Sequence, residues 1–207
     1  MRLKVPPGRQ GRLWLSARLG VAERGAELLE QKRRALMTEV QRLAAAEEQS
    51  RRTWETAAID ARLWLLRAVL LAGERQLDLT LHNRGRAAEV EVSRGSVMGV
   101  IFPDRTMTTA SEGGLLLGSS AAFDRALEAW RTALALGVQA AAAERAHAEV
   151  SRQFALTARR QRVIERVWLP TLTAALRDLD LRLDEMERQD AIRARWVLHR
   201  REAGRSA

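Results

Sequence analysis

No cysteine occurs in the 207 residues, which excludes disulfides and thiolate metal sites and is compatible with a reducing compartment. Tyrosine is absent too, aromatic residues make up only 4% of the chain, and there are four prolines. A compact domain of this length would need more bulk at its centre. Long apolar runs are also missing: none approaches the ~18–20 residues that cross a bilayer, so any membrane association must go through a partner. The opening MRLKVPPGRQGRLWL places Pro6, Pro7 and Gly8 where a signal peptide needs an unbroken apolar stretch, and no export signal is expected.

What remains is dominated by Ala, Leu, Arg and Glu, the profile of long helices packed in pairs, so the expected form is a rod with a narrow seam. The net charge is +9 and the sequence pI about 11.4, which admits a polyanion, an anionic membrane surface or an acidic protein cavity as partner. The basic residues interleave with acids, as in Glu30 to Arg34, Glu48 to Arg52, Asp178 to Arg182 and Asp184 to Arg188. Spaced i,i+4, such pairs support solvated helix faces by about 0.2–0.5 kcal/mol each.

From Leu13 to about Leu71 the apolar residues follow a 3,4 spacing. Leu15, Leu19, Ala22, Ala26, Leu29, Leu36, Val40, Leu43, Trp54, Ala57, Ala61, Trp64, Ala68 and Leu71 fall on one seam, interrupted by Arg33, Glu47 and Ser50. With no internal proline this predicts one coiled-coil helix of roughly 90 Å. Seam alanines let a partner backbone come close, and Gly25 suits the same approach at about 1 kcal/mol against alanine.

Between Gln76 and Ser120 the period changes. Leu77, Leu79 and Leu81 alternate with polar residues, Asn83-Arg84-Gly85 signals a turn, and Val90 and Val92 alternate with Glu89 and Glu91. These read as short strands forming a small hairpin with the run Val97-Met98-Gly99-Val100-Ile101-Phe102, which Pro103 ends. Asp104 to Ser120 reads as loop apart from Leu115 to Leu117. A second helical tract starts with Ser119 or Ser120 as N-cap and carries Phe123, Leu127, Trp130, Leu134, Ala141, Ala148, Phe154, Ile164, Trp168, Leu172, Leu176, Leu179, Leu183 and Met186. Pro170 removes an amide and crowds the carbonyl of Arg166, predicting a kink.

Neither long helix can bury its seam alone, so the second folds back antiparallel on the first. The fold class is mainly α: an antiparallel two-helix coiled-coil hairpin with a short β-hairpin in the middle. Its expected divisions are an N-terminal helix over 1–75, a middle region over 76–118 and a C-terminal helix over 119–207. Bringing the chain ends together predicts Ala22 near Met186 and Leu36 near Leu172, within about one heptad. The same arrangement gathers Arg2, Lys4, Arg9 and Arg12 with Arg193, Arg195, Arg200, Arg201 and Arg205 at one basic tip.

Catalytic and ligand motifs are not found. His82, His147 and His199 lie in different elements, there is no HExxH, and no GxxxxGK[ST] loop is present to hold ATP, so no cofactor or metal is expected. Asp180, Asp184 and Glu187 share a helix face that could be imagined as a cation site, but Arg177, Arg182 and Arg188 sit among them and favour ordinary ion pairing. The six tryptophans fall at or beside seam positions and read as core fillers rather than base-stacking platforms.

Four stretches resemble, in order, those of the D-subunit family of V/A-type ATPases, the central rotor stalk. The first begins at VPPGRQGRLWL and contains Pro7, Arg9, Arg24, Gly25, Leu28, Leu29, Lys32, Arg33 and Leu36; then come VMGVIFP (Val97 to Pro103), GLLLGSSAAFDRALEAW (Gly114 to Trp130) and Arg159 to Arg188, with ARRQRVIE, Leu169-Pro170 and LDEMER. Gly8 replaces a usual threonine, and Glu30 and Arg34 reverse the charges expected.

The resemblance implies a non-catalytic shaft coupling ATP hydrolysis or synthesis to ion translocation by rotation. The implied partners are a hexameric head of A and B subunits, the small F subunit of the stalk and an adaptor subunit on the membrane ring, at the cytoplasmic face. No direct contact with nucleic acid and no membrane insertion is implied. The residues assigned to it are the seam Leu15, Ala22, Leu29, Leu36, Val40, Leu43, Leu172, Leu179, Leu183 and Met186; the middle hairpin Leu77, Leu79, Leu81, Val90, Val92, Val97, Met98, Gly99 and Val100; and the basic tip Arg9, Arg12, Arg195, Arg200 and Arg201. The alternative is a basic coiled coil binding nucleic acid or organising a filament, with Arg159, Arg160, Arg162, Arg200, Arg201 and Arg205 on phosphates.

Overall fold

The computed structural model describes residues 4–75, 77–78, 88–109 and 120–203, with residues 201–203 described as backbone alone. In chain order it contains helix α1 (Gly8–Ala72), strands β1 (Glu89–Val97) and β2 (Val100–Thr109), helix α2 (Ala121–Val163), a π-helical turn (Ile164–Trp168) and helix α3 (Leu169–Ala203). The fold is mainly α with one two-stranded antiparallel sheet. The chain forms two compact units, Met1–Gln31 with Thr157–Ala207, and Lys32–Leu156.

Helix α1 runs for 65 residues without a proline and stops at Gly73, whose φ of +82° is open to glycine at little cost and whose amide bonds the Val69 carbonyl at 2.8 Å. Leu77 and Asp78 are helical where alternation predicts a strand, and Leu77 packs beside Ala68, Phe123 and Ala126. Leu77 thus follows the apolar surface that a neighbouring helix offers rather than the alternation. Leu79, Leu81 and the Asn83-Arg84-Gly85 signal lie outside the described residues.

The hairpin turns elsewhere. Val97 pairs with Val100 across Met98 and Gly99, which have φ of +48° and +78°. Positive φ at both central positions is the two-residue type I′ pattern that matches strand twist, and Gly99 supplies one of them without strain. The run Val97 to Phe102 is thus a turn and two strand ends, and β2 continues through Pro103 to Thr109 instead of ending there. Proline is accommodated because the register shifts between Ser93 and Arg94: Arg94 pairs with Pro103 and Ser93 with Arg105, leaving Asp104 as the extra residue of a bulge.

In the Lys32–Leu156 unit, Leu36, Leu43, Ala146, Val150, Val100 and Phe102 form one buried cluster, with Val40, Val97 and Phe154 against it. The strand hairpin therefore covers the helix pair where its large side chains meet. Further along, the seam thins to Ala61 against Ala129 and Ala133, and Ala68 against Phe123 and Ala126. Ser120 begins α2 through its carbonyl, which accepts the amides of Phe123 (2.8 Å) and Asp124 (3.2 Å); its buried hydroxyl has no partner among the described residues.

In the unit of Met1–Gln31 with Thr157–Ala207, Leu15, Ala26 and Leu172 are buried together with two polar residues, Thr157 and Gln161. Pro170 does not simply kink the helix: the turn before it widens, the Leu169 amide bonding the Ile164 carbonyl five residues back. A π turn is one way to start a fresh helix at a residue with no amide to give to Arg166.

The register differs from the expected one. Arg12 pairs with Asp180, and Gln161 with Glu30, so Ala22 lies opposite a stretch between Gln161 and Asp180, not beside Met186. Leu36 packs with Ala146, Val150 and Phe154, not at Leu172. Matching the chain ends misses this because apolar seams slide by heptads at little cost, whereas polar and size-matched partners have one register.

Candidate functional site

The pairing residues are where the structure carries its specificity. Near the ends of the chain, Arg9 Nη2 donates to Glu187 Oε1 at 2.8 Å and Arg12 Nε lies 2.9 Å from Asp180 Oδ1. Both pairs are largely exposed, so each is worth about 0.2–1 kcal/mol and acts mainly on register. The arginines satisfying this acidic face thus come from α1. Deeper in, buried Gln161 donates through Nε2 to Glu30 at 2.9 Å and to Glu165 at 2.8 Å. A slipped register breaks the bond to Glu30 and leaves one proton of the buried Gln161 amide unpaired, costing about 1–3 kcal/mol.

In the other unit the seam interruption Glu47 meets His147 of α2 at 2.5 Å. Trp54, which is 40% exposed, lies over Gly137, where a β-carbon would come within 2.9 Å of the indole Nε1. Only glycine leaves room for that ring. Neither partnership was anticipated from sequence, although a carboxylate in an apolar seam is itself a signal that something polar faces it. Half-buried Trp14 is stacked by Arg18 at 4.8 Å and Trp64 by Arg67 at 4.8 Å, while Trp64 also packs against the Ala61 and Ala68 clusters, so it serves as a core filler with one face open to a cation.

The residues assigned to the seam fall in different environments. Leu15, Leu36, Leu43 and Leu172 are buried; Ala22, Leu29, Val40, Leu179 and Leu183 are half-buried; Met186 is exposed. Leu71, the last seam position of α1, is 77% exposed. Of the hairpin residues, Val100 is buried and Val97 half-buried on the helix pair, Met98 and Gly99 make the turn, and Val90 and Val92 are exposed. Ile101 and Met107 are exposed as well, while Phe102, absent from the expected set, is buried at the centre.

Of the basic tip, Arg9 and Arg12 are held in the ion pairs above. Helix α3 continues beyond Glu187 to Ala203, about four turns at ~3.6 residues each. Arg195 and Arg200 are exposed on this extension along with Ile192, Trp196, Val197 and Leu198, and the Arg201 side chain lies outside the described residues. Arg159, Arg160 and Arg162 are exposed on the last turns of α2, where Arg162 Nε bonds the Ala158 carbonyl at 3.3 Å.

The clearest electrostatic effects are local. Bonding from Arg42 holds the Glu39 carboxyl below its ordinary range, Arg51 and then Arg52 do the same for Glu48, and Arg152 and then Gln153 for Glu149. Among the described residues no three His, Cys, Asp or Glu side chains converge as a metal site, and no helix is long and apolar enough to cross a membrane.

The pairings define the class first: an antiparallel helical coiled coil bearing a strand hairpin. Comparison with known sequences then gives the family. The family of the ATP synthase D subunit matches residues 13–199, and the chain belongs to that family, a component of rotary ATPases. It is 32% identical over 200 residues to the A-type ATP synthase D subunit of Thermococcus gammatolerans and 30% identical over 201 residues to that of Thermococcus kodakarensis, each alignment covering 94% of both chains. It is 27% identical over 202 residues to the corresponding A-type ATP synthase D subunit of Halobacterium salinarum, covering 95% of this chain and 90% of that one.

Proposed function

We propose that this chain is the central rotor shaft of a V/A-type rotary ATPase, a non-catalytic component that couples ATP hydrolysis or synthesis in a hexameric A/B head to ion translocation through a membrane ring. The observation that carries the reading is the family match over residues 13–199, which falls on a chain built of antiparallel helices tied at defined registers. Torque passes along such a pair only if its helices do not slide, and the Arg12–Asp180, Glu30–Gln161 and Glu47–His147 contacts resist sliding.

On this reading, residues 1–75 and 119–207 supply the shaft helices and 76–118 the middle region. The exposed end of α3 with Arg195 and Arg200 is the tip that turns inside the head, its charges partly screened and tolerant of sliding. The strand hairpin, with Val90, Val92, Ile101 and Met107 exposed, faces partners below: the small F subunit of the stalk and the adaptor on the membrane ring, at the cytoplasmic face. Nucleotide-driven changes in the head bias rotation because each orientation of an asymmetric shaft contacts the three catalytic interfaces differently.

Affinity purification of the tagged chain at low salt tests this assignment. Recovery of A, B and F subunits is the expected result. Recovery of nucleic acid that high salt removes, without those subunits, would instead establish a phosphate-binding coiled coil.

A further inference from the structure

Within this chain, two glycines of α1 meet no side chain or backbone that would require glycine. At Gly25 an added β-carbon meets nothing within 4 Å, and at Gly20 it meets only the tip of the Arg24 side chain at 3.8 Å, an ordinary contact. Neither has a positive φ. Gly25 therefore does not serve a close approach within this chain, in contrast with Gly137, where a β-carbon would press on Trp54. Inside a helix, glycine without a packing role only lowers the cost of opening.

Both glycines lie between Arg12 and Glu30, and the stretch of the second tract bounded by the partners of those two residues, Gln161 and Asp180, contains the π turn and Pro170. There the backbone ladder is weakened again. Pro170 has no amide for the Arg166 carbonyl, so opening this turn breaks fewer bonds than opening an ordinary one. The Thr171 and Thr173 hydroxyls bond back to the carbonyls of Val167 (2.6 Å) and Leu169 (2.8 Å), a competition that bends helices. Both helices of the pair thus carry a weakened ladder at one level, and polar contacts tie the pair on each side of it.

We propose that the level between the Arg12–Asp180 and Glu30–Gln161 contacts is a flexural joint built into the helix pair, at which the segments on either side bend against each other while register is kept. The joint is a property of this chain alone and does not rest on the rotor reading. Its moving part is the Ile164–Trp168 turn, which exchanges five-residue for four-residue bonding; Gly20 and Gly25 let α1 follow.

The absence of native cysteine makes spin labelling direct. Labels placed by Arg160→Cys and Ala174→Cys flank the π turn, and labels placed by Ala141→Cys and Ala155→Cys give a control of equal spacing, about 21 Å along a helix. The pulsed electron–electron distance distribution is expected to be at least twofold broader for the first pair. It should narrow to the control width in the triple variant G20A/G25A/P170A. Amides of residues 164–169 should exchange at least tenfold faster than those of 141–146 in the unaltered chain. Equal widths for the two pairs, a width the triple variant leaves unchanged, or equal exchange rates in the two segments would overturn the joint.

Discussion

The two units solve the same problem, holding two helices in register, with different materials. In Lys32–Leu156 the strand hairpin adds Val100 and Phe102 to Leu36, Leu43 and Val150, giving the helices a third layer. In the unit formed by Met1–Gln31 with Thr157–Ala207 there is no third layer among the described residues. Its buried set of Leu15, Ala26, Thr157, Gln161 and Leu172 is sparse, and register rests on polar contacts. A long seam of alanine and leucine does not by itself choose a register; a covering hairpin chooses it by shape, and a buried amide facing a carboxylate chooses it by the cost of going unpaired.

The comparison predicts that the largest losses come from the hairpin-covered core. Phe102→Ala should destabilise its unit by about 3–5 kcal/mol, the usual range for emptying a buried aromatic site. Urea unfolding followed at several tryptophans would measure it, and a loss below about 1 kcal/mol would show that the hairpin is an ornament on a self-sufficient helix pair.

A smaller effect is expected at the notch under Trp54. Gly137→Ala gains helix propensity of about 1 kcal/mol but forces a β-carbon to within 2.9 Å of the indole, and overpacking usually costs about 1–3 kcal/mol. The net change should be destabilising in the natural background and stabilising in Trp54→Leu. A double-mutant cycle with no coupling would remove Gly137 from the register argument.

Gln161→Leu should cost about 1–3 kcal/mol by removing the two amide hydrogen bonds to the Glu30 and Glu165 carboxylates, whereas Arg12→Ala should cost no more than about 1 kcal/mol and less at high salt. Thermal melts at two ionic strengths separate the two.

The smallest effect is acid sensitivity. Glu39, Glu48 and Glu149 are held below their ordinary carboxyl range by neighbouring arginines, so their contribution is present above the unfolded value and fades as pH falls through the lowered folded value. Side-chain carboxyl resonances should therefore titrate below the usual glutamate range for these three. Ordinary midpoints at all three would show the pairs to be unformed in solution.

The first long helix was legible because a 3,4 pattern with only three interruptions, Arg33, Glu47 and Ser50, and the lack of proline leave one reading from Leu15 to Ala68. The β-hairpin was legible in outline from Val90, Val92 and the run at Val97. Its turn was not, because Met98 is no turn residue and adopts its positive φ only in company with Gly99. Pro103 looked like a stop because the pattern along one strand cannot show a bulge created by the pairing strand. Register was the largest miss: Ala22 with Met186 was the expectation of aligned ends, while the contacts that decide it, Glu30 to Gln161 and Glu47 to His147, join residues 131 and 100 positions apart. Glu47 announced its contact by interrupting the seam; Glu30 gave no such signal, since its spacing to Arg34 reads as a solvated pair.

The central claim is rotation of this chain within a catalytic head. Val197 lies on the exposed extension of α3, and since the chain has no cysteine of its own, a cysteine placed there and one in the surrounding head can be joined by a single disulfide. ATP turnover of the assembled complex should stop when that disulfide is formed and return when reductant is added; full turnover with the cross-link quantitatively formed would contradict the account.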